Sequence, residues 1–332
     1  MAKRLIPLET RQIARVTGAG SVGRTDERFG IHATDLGIPW DGGDGRIYLL
    51  FGDTYGRGWG GDGGGPADAD WRCNVLAFSR TRELGDGLDL EDVVARPDGA
   101  ATQVIPSGSG REATVIPNAG IAVDGVQYVH YMSVREWGPP GRWRTNYAGI
   151  AVSRDGGRTW DKPRSARWPN RWWAESRFQI GAFTRDARHV YLYGTTNGRF
   201  DDAYLARVSP AGVADVSAYE YWTGDGWARG EKEAAPVFPG PVGELSVGYN
   251  VHFGLWLAMH LDEDRAAIVL RTAEHPEGPW TGGEVVVSGQ DYPALYGGYL
   301  HPWAMDSDEI YFLLSQWGPY NVFLLRTRLS ES

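Results

Sequence analysis

The chain has 332 residues, a formal net charge of -9 at pH 7, 46 glycines and an aromatic share of 12%. The acidic balance excludes nucleic acid and anionic membrane as partners, because no basic stripe is present to neutralise phosphates, and a neutral or cationic ligand fits better. Cys73 is the single cysteine, which excludes an intrachain disulfide and a cysteine-based zinc site.

Residues 1–29 open on MAKRLIPLETRQIARVTG, which lacks the apolar run of a secretory signal. They read as an N-terminal segment closing onto a single domain, residues 30–332. The G-x-G-x-x-G match at 18–23 has no βαβ context and is discounted. No stretch approaches the ~20 apolar residues of a bilayer span.

Residues 30–56, GIHATDLGIPWDGGDGRIYLLFGDTYG, read as a hairpin: a strand over 31–38, a turn over 40–45 and an apolar strand over 46–51. Asp35 then lies inside the first strand and Asp53 follows directly on the second. A carboxylate in apolar surroundings needs satisfying donors or a chemical role. Capping of a turn is the structural alternative for each.

The same theme recurs along the chain. A strand carrying polar residues is followed by one dense in Tyr, Leu and Val, and then by a third. The units are 30–39, 46–55 and 74–81; 114–123, 126–134 and 147–153; 177–184, 189–195 and 203–208; 243–250, 255–261 and 266–272; and 298–305, 309–316 and 322–329. A period of roughly 55 to 80 residues with many glycines predicts an all-β protein, a five-bladed β-propeller. Residues 153–160, SRDGGRTW, match the "Asp box" turn of sialidase-like and other propellers, so Asp155 reads as a turn former.

Ligands of a propeller bind where the innermost strands open, which makes polar residues on the first strand of each unit the candidates. These are Asp35; Asn118; Gln179 with Glu175 and Arg177; Glu244 with Asn250; and His301. Asn197 lies in loop chemistry nearby. Each has a bland reading, as turn residue or satisfied core group. Glycoside hydrolysis needs one protonated and one ionised carboxyl group, and Asp35 and Asp53 supply a pair, with Glu244 a third carboxylate that serves as acid, orienter or tuner. Aromatic residues that stack on sugars or simply pack under loops are Trp40, Tyr55 and Trp59; Trp137 and Trp143; Trp172 and Trp173; Tyr296 and Trp317.

Thr34-Asp35-Leu36-Gly37 with Phe51-Gly52-Asp53-Thr54, Pro117-Asn118-Ala119-Gly120, Gly194-Thr195-Thr196-Asn197-Gly198-Arg199, and Gly243-Glu244-Leu245-Ser246-Val247 with Asn250 resemble a five-bladed propeller family found largely in actinobacteria. That family is associated with endo-D-arabinanases, glycoside hydrolase family 183, which cut α-D-arabinofuranosyl chains of mycobacterial arabinogalactan and lipoarabinomannan. The resemblance implies an inverting hydrolase with Asp35 and Asp53 as its essential aspartates and D-arabinan as the polysaccharide partner. Depth suggests Asp35 as base and Asp53 as acid, with swapped roles open. Such a substrate implies action outside the cell or at its wall, although no signal is visible. No cofactor is implied; some propeller glycosidases hold an axial Ca²⁺, and His301 would stand beside one, without a carboxylate cluster of ligand spacing. The competing functions are a non-catalytic carbohydrate-binding propeller, a lectin or phage adhesin, and another propeller glycosidase such as an L-arabinanase or a sialidase.

Overall fold

The computed structural model describes residues 3–332 except 67, 109 and 172. Trp172 therefore lies outside the described residues. The described chain is all-β, with one short α-helix, Thr25–Phe29, and four 3₁₀ turns. Among the described residues no helix is long and apolar enough to cross a membrane.

Strands of the described residues assemble into six antiparallel sheets, five of which are ordered outward from a first strand. The first holds Ile38–Asp41, Ile47–Phe51, Val75–Ser79 and Asp92–Val93; the second Thr114–Val123, Val126–Trp137, Trp143–Ser153 and Arg167–Pro169. The third runs from Ile180–Arg185 through Val190–Thr195 and Asp201–Val208 to Glu220–Trp222 and Trp227–Ala228, with Pro236–Val242 also pairing Asp201–Val208. The fourth holds Leu245–Asn250, Leu255–Asp262, Ala267–Ala273 and Glu284–Ser288. The fifth holds Leu295–Leu300, Glu309–Gln316 and Asn321–Glu331, and its outer strand is the N-terminal Leu5–Arg15. The first strand of each sheet packs on the first strand of the next, and that of the fifth returns to the first.

Apolar residues facing both sides of these sheets form the core. Ile47, Leu49 and Phe51 lie in one large cluster with residues of the later sheets, while Tyr48 and Leu50, on the opposite face, join Trp40 and Trp160 between the first and second sheets. The Asp-box turn is tied as its motif requires: Asp155 Oδ1 accepts from the Ser153 hydroxyl and from the amides of Arg158 and Thr159, and Trp160 is buried.

Several boundaries differ from the sequence pattern, and two bear on the candidate site. The strand expected over 31–38 is broken: Ala33–Thr34 pairs Thr54–Tyr55 in a separate three-stranded sheet with Trp71–Arg72, and Ile38–Asp41 pairs Ile47–Phe51. Between them Leu36 and Gly37 take φ of 65° and 73°, a left-handed turn of the backbone that glycine adopts readily and leucine does not. The first strand of the fifth sheet is Leu295–Leu300, several residues upstream of the expected 298–305, so His301 lies just past its end.

Candidate active site

Asp35 and Asp53 both stand where the chain crosses between the three-stranded sheet and the first four-stranded one, Asp35 on the way in and Asp53 on the way out. The Gly52 amide donates to the Asp35 carbonyl at 3.2 Å, so the two breaks face each other. Gly52 is required there, since a Cβ at that position would collide with Asp35 Oδ1. This local break turns both carboxylates away from the sheet ladder and toward the ends of the innermost strands.

The partners come from distant parts of the chain. Asp35 Oδ2 accepts from the Tyr296 hydroxyl at 3.0 Å and the Tyr320 hydroxyl at 3.3 Å, while Oδ1 is buried without a partner. Asp53 Oδ1 accepts from the Trp71 indole at 2.9 Å and the Thr114 hydroxyl at 3.0 Å. Burial first, and then the charge of Asp53, push Asp35 up to about 8 against the two tyrosine donors; Glu244 adds to the rise. Burial pushes Asp53 up to about 6, opposed by Thr114 and Trp71. Near neutral pH one carboxyl group of the pair thus keeps a proton that the other has released. Burial, then the charge of Asp35, holds the Tyr296 phenol protonated, so toward Asp35 it acts as a donor.

Glu244, immediately before the fourth sheet's first strand, is gripped by Arg199: Nη2 meets Oε1 at 2.7 Å and Nε meets it at 3.0 Å, while Oε2 is buried without a partner. The same guanidinium donates to Glu263 at 3.0 Å and lies 5.3 Å from the centre of the Tyr296 ring. Asp53, Asp35, Tyr296, Arg199 and Glu244 therefore form one connected constellation. Tyr55 packs edge to face on Tyr320, and the half-exposed Trp317 does so from another side, at 5.7 and 5.4 Å between ring centres. Between the second and third sheets, the single Thr145 hydroxyl donor lies within reach of both Gln179 Oε1 and Asn197 Oδ1, and Asn197 donates to Glu175 at 3.1 Å.

Other sequence candidates lie elsewhere. Starts of inner strands meet starts, as Tyr296 does Asp35, and ends meet ends, as Trp303 Nε1 does Asp41 at 2.7 Å. Trp40 is buried near the far end, donating to Gln127 at 2.8 Å. Asn250 closes a turn there, donating to the Ser307 carbonyl at 3.1 Å and accepting from the Phe253 amide at 3.0 Å. His301 is buried at that end too. The physical reason is length: a strand of six residues separates its two ends by about 20 Å, so a polar residue at either end of a first strand carries the same pattern. Arg177 is tied to the carbonyls of Lys232 and Ala234 on the third sheet. Asn118 lies midway, donating to the Gln179 carbonyl and facing an axial cavity of about 520 Å³.

The fit of an axial Ca²⁺ beside His301 is poor. Ca²⁺ takes oxygen ligands, whereas His301 offers ring nitrogens and Asp41 is bonded to Trp303. Among the described residues no group of three or more His, Cys, Asp or Glu is placed to hold a metal ion.

Thr114, Trp71, Tyr320 and Arg199 were not legible as site residues. Arg199 does stand in the Gly194 to Arg199 motif, and its local sequence signals only a turn.

Two relatives match at 31% identity: notoamide biosynthesis cluster protein J of Aspergillus sp. (strain MF297-2), over 87% of this chain and 81% of its own, and protein J' of Aspergillus versicolor, over 87% and 82%. Among solved structures, a putative hydrolase of Bacteroides ovatus has TM-score 0.60 at 14% identity, covering 96% of this chain and 87% of that one. An α-L-arabinofuranosidase of Podospora anserina solved with cellotriose has TM-score 0.53 at 12% identity, covering 99% and 97%. A family 43 β-xylosidase/α-arabinofuranosidase from a compost metagenome has TM-score 0.54 at 12% identity, covering 98% and 95%. These neighbours of glycoside hydrolase propeller type share the fold. Residues 20–326 match the model of one family, and the chain belongs to it: the domain of unknown function DUF4185.

Proposed function

We propose that this protein is an endo-acting, inverting glycoside hydrolase that cuts α-D-arabinofuranosyl linkages in D-arabinan of mycobacterial arabinogalactan and lipoarabinomannan. Its five larger sheets are then five blades of one propeller spanning residues 30–332, with residues 1–29 closing onto it. The observation that carries the reading is the carboxyl pair, Asp35 pushed up to about 8 and Asp53 to about 6 at one mouth. Glycoside hydrolysis asks for this split, a proton on one group and a charge on the other.

In this mechanism Asp35 is the acid and Asp53 the base, the reverse of the order that depth in the sequence suggested. Asp35 protonates the leaving glycosidic oxygen as the bond to C1 breaks. Asp53, its charge held by Trp71 and Thr114, takes a proton from the water that attacks C1 on the opposite face. The half-exposed rings of Trp71 and Trp317 flank the pair and suit successive sugars of a chain. Release of oligosaccharides from purified mycobacterial D-arabinan, with proton NMR of the first-formed anomer, tests it: inverted product supports the reading. No release, beside cleavage of L-arabinan or a sialoside, would sink it. A lectin would bind the polymer without any turnover to lose in Asp53→Asn.

The fungal relatives favour a second reading, acid–base chemistry on a small molecule, because their names place them in a biosynthetic cluster. Turnover of a small glycoside with polymer left intact would favour it.

A further inference from the structure

Three polar side-chain atoms in and beside the constellation are buried without a partner: Asp35 Oδ1, Glu244 Oε2 and the indole Nε1 of Trp143. The first belongs to the acid pair. The other two meet at one guanidinium, since Arg199 binds Glu244 and its Cζ lies 5.9 Å from the centre of the Trp143 ring. Trp143 is 8% exposed and Glu244 9%, so neither is a surface group turned to bulk water. A buried donor and a buried acceptor left open together oppose folding, which points to a ligand that completes them.

Their surroundings fit one kind of ligand. Trp137 is 53% exposed and meets Trp143 edge to face with ring centres 5.8 Å apart, which sets a flat apolar face beside the open pair. A sugar ring offers an apolar CH face and hydroxyls that both accept and donate. We propose that Trp143, Glu244 and Trp137 form a hydroxyl-reading subsite for one neutral sugar residue beside the acid pair; this rests on the glycosidase reading. Trp143 Nε1 donates to one sugar hydroxyl, Glu244 Oε2 accepts from another, and Trp137 covers the CH face. Anionic sugars are rejected, because Arg199 is already committed to Glu244 and Glu263 and the open Glu244 oxygen would face any uronate or sialate.

The test uses the full chain carrying Asp53→Asn, titrated by calorimetry with neutral arabino-oligosaccharides cut from D-arabinan and with a sialylated oligosaccharide. Expected are binding of the neutral sugar, at least about tenfold weaker binding of the anionic one, and a further loss of roughly five- to tenfold on adding Trp143→Phe. In the Asp53→Asn protein the Trp143 indole N–H signal, assigned by sequential NMR in that protein itself, should move on sugar addition, which decides the matter even where Trp143→Phe does not fold. Unchanged affinity in folded Trp143→Phe, an unmoved signal, equal binding of the sialylated sugar, or no binding of the neutral one overturns the subsite. When any of these occurs while the wild type still cleaves arabinan, only the subsite falls. When binding behaves as expected but the wild type releases nothing, the hydrolase reading falls and the sugar site stands.

Discussion

The Tyr296 hydroxyl donates to Asp35 Oδ2 at 3.0 Å across 261 residues of sequence, joining the first strand of the fifth sheet to the break that precedes the first sheet. Tyr320 reaches the same oxygen at 3.3 Å from the last strand pair. Both ends of the chain thus act on one carboxyl group. Asp35 titrates as it does because the fold closes.

Activity should follow a bell in pH. The base must be ionised, which fails as pH falls through about 6, and the acid must be protonated, which fails as pH rises through about 8. The optimum therefore lies near 7, read from kcat/KM on arabinan. Asp35→Asn and Asp53→Asn should each lower turnover about 10²- to 10⁴-fold with folding retained. Full activity at pH 5 would contradict the assignment.

The two limbs should move separately. Thr114→Val removes a donor that favours the ionised form of Asp53, so the acidic limb shifts to higher pH. Tyr296→Phe does the same to Asp35 and shifts the alkaline limb upward. Either variant moving the other limb instead would reverse the acid and base roles.

Stability should fall as pH rises. The folded state keeps a proton on Asp35 that the unfolded chain releases near pH 4, so the stability tied to it is complete below that pH and is lost as pH rises through about 8. Asp53 adds a smaller effect of the same sign up to about 6. Thermal melts between about pH 5 and 8 should show a decline that is shallower in Asp35→Asn. An identical slope in both proteins argues against a protonated Asp35.

Asn74 is fully buried and makes four backbone bonds: its amide donates to the carbonyls of Ile105 and Val115, and its oxygen accepts from the amides of Val104 and Ile105. It pins the connection between the first and second sheets. Asn74→Ala should cost about 2–4 kcal/mol by leaving several of these groups unpaired. Denaturant unfolding measures this, and a loss below ~1 kcal/mol would show that the segment re-pairs on its own.

The periodic strand pattern and the turn chemistry are local properties, and they were legible: strands such as 114–123, 255–261 and 309–316 fall within a residue or so of the observed Thr114–Val123, Leu255–Asp262 and Glu309–Gln316. Asp35 and Asp53 were singled out as candidates too, because a polar residue inside an apolar hairpin stands out at short range. The break at Leu36 and Gly37 was not legible, since a left-handed Leu36 runs against its residue type and the separate pairing of Ala33 and Thr34 with Tyr55 and Thr54 is a tertiary feature.

By itself the sequence determined the all-β class and the recurring strand pattern and singled out the two aspartates as candidates, since each depends on neighbours within a few residues. Only the tertiary structure decided which ends of the strands share the carboxylates. It separated His301, Asn250 and Trp40 from them and brought in Thr114, Trp71, Arg199 and Tyr320. It also decided the charge on each aspartate, because burial and through-space partners, which no linear spacing encodes, set how tightly a carboxyl group holds its proton.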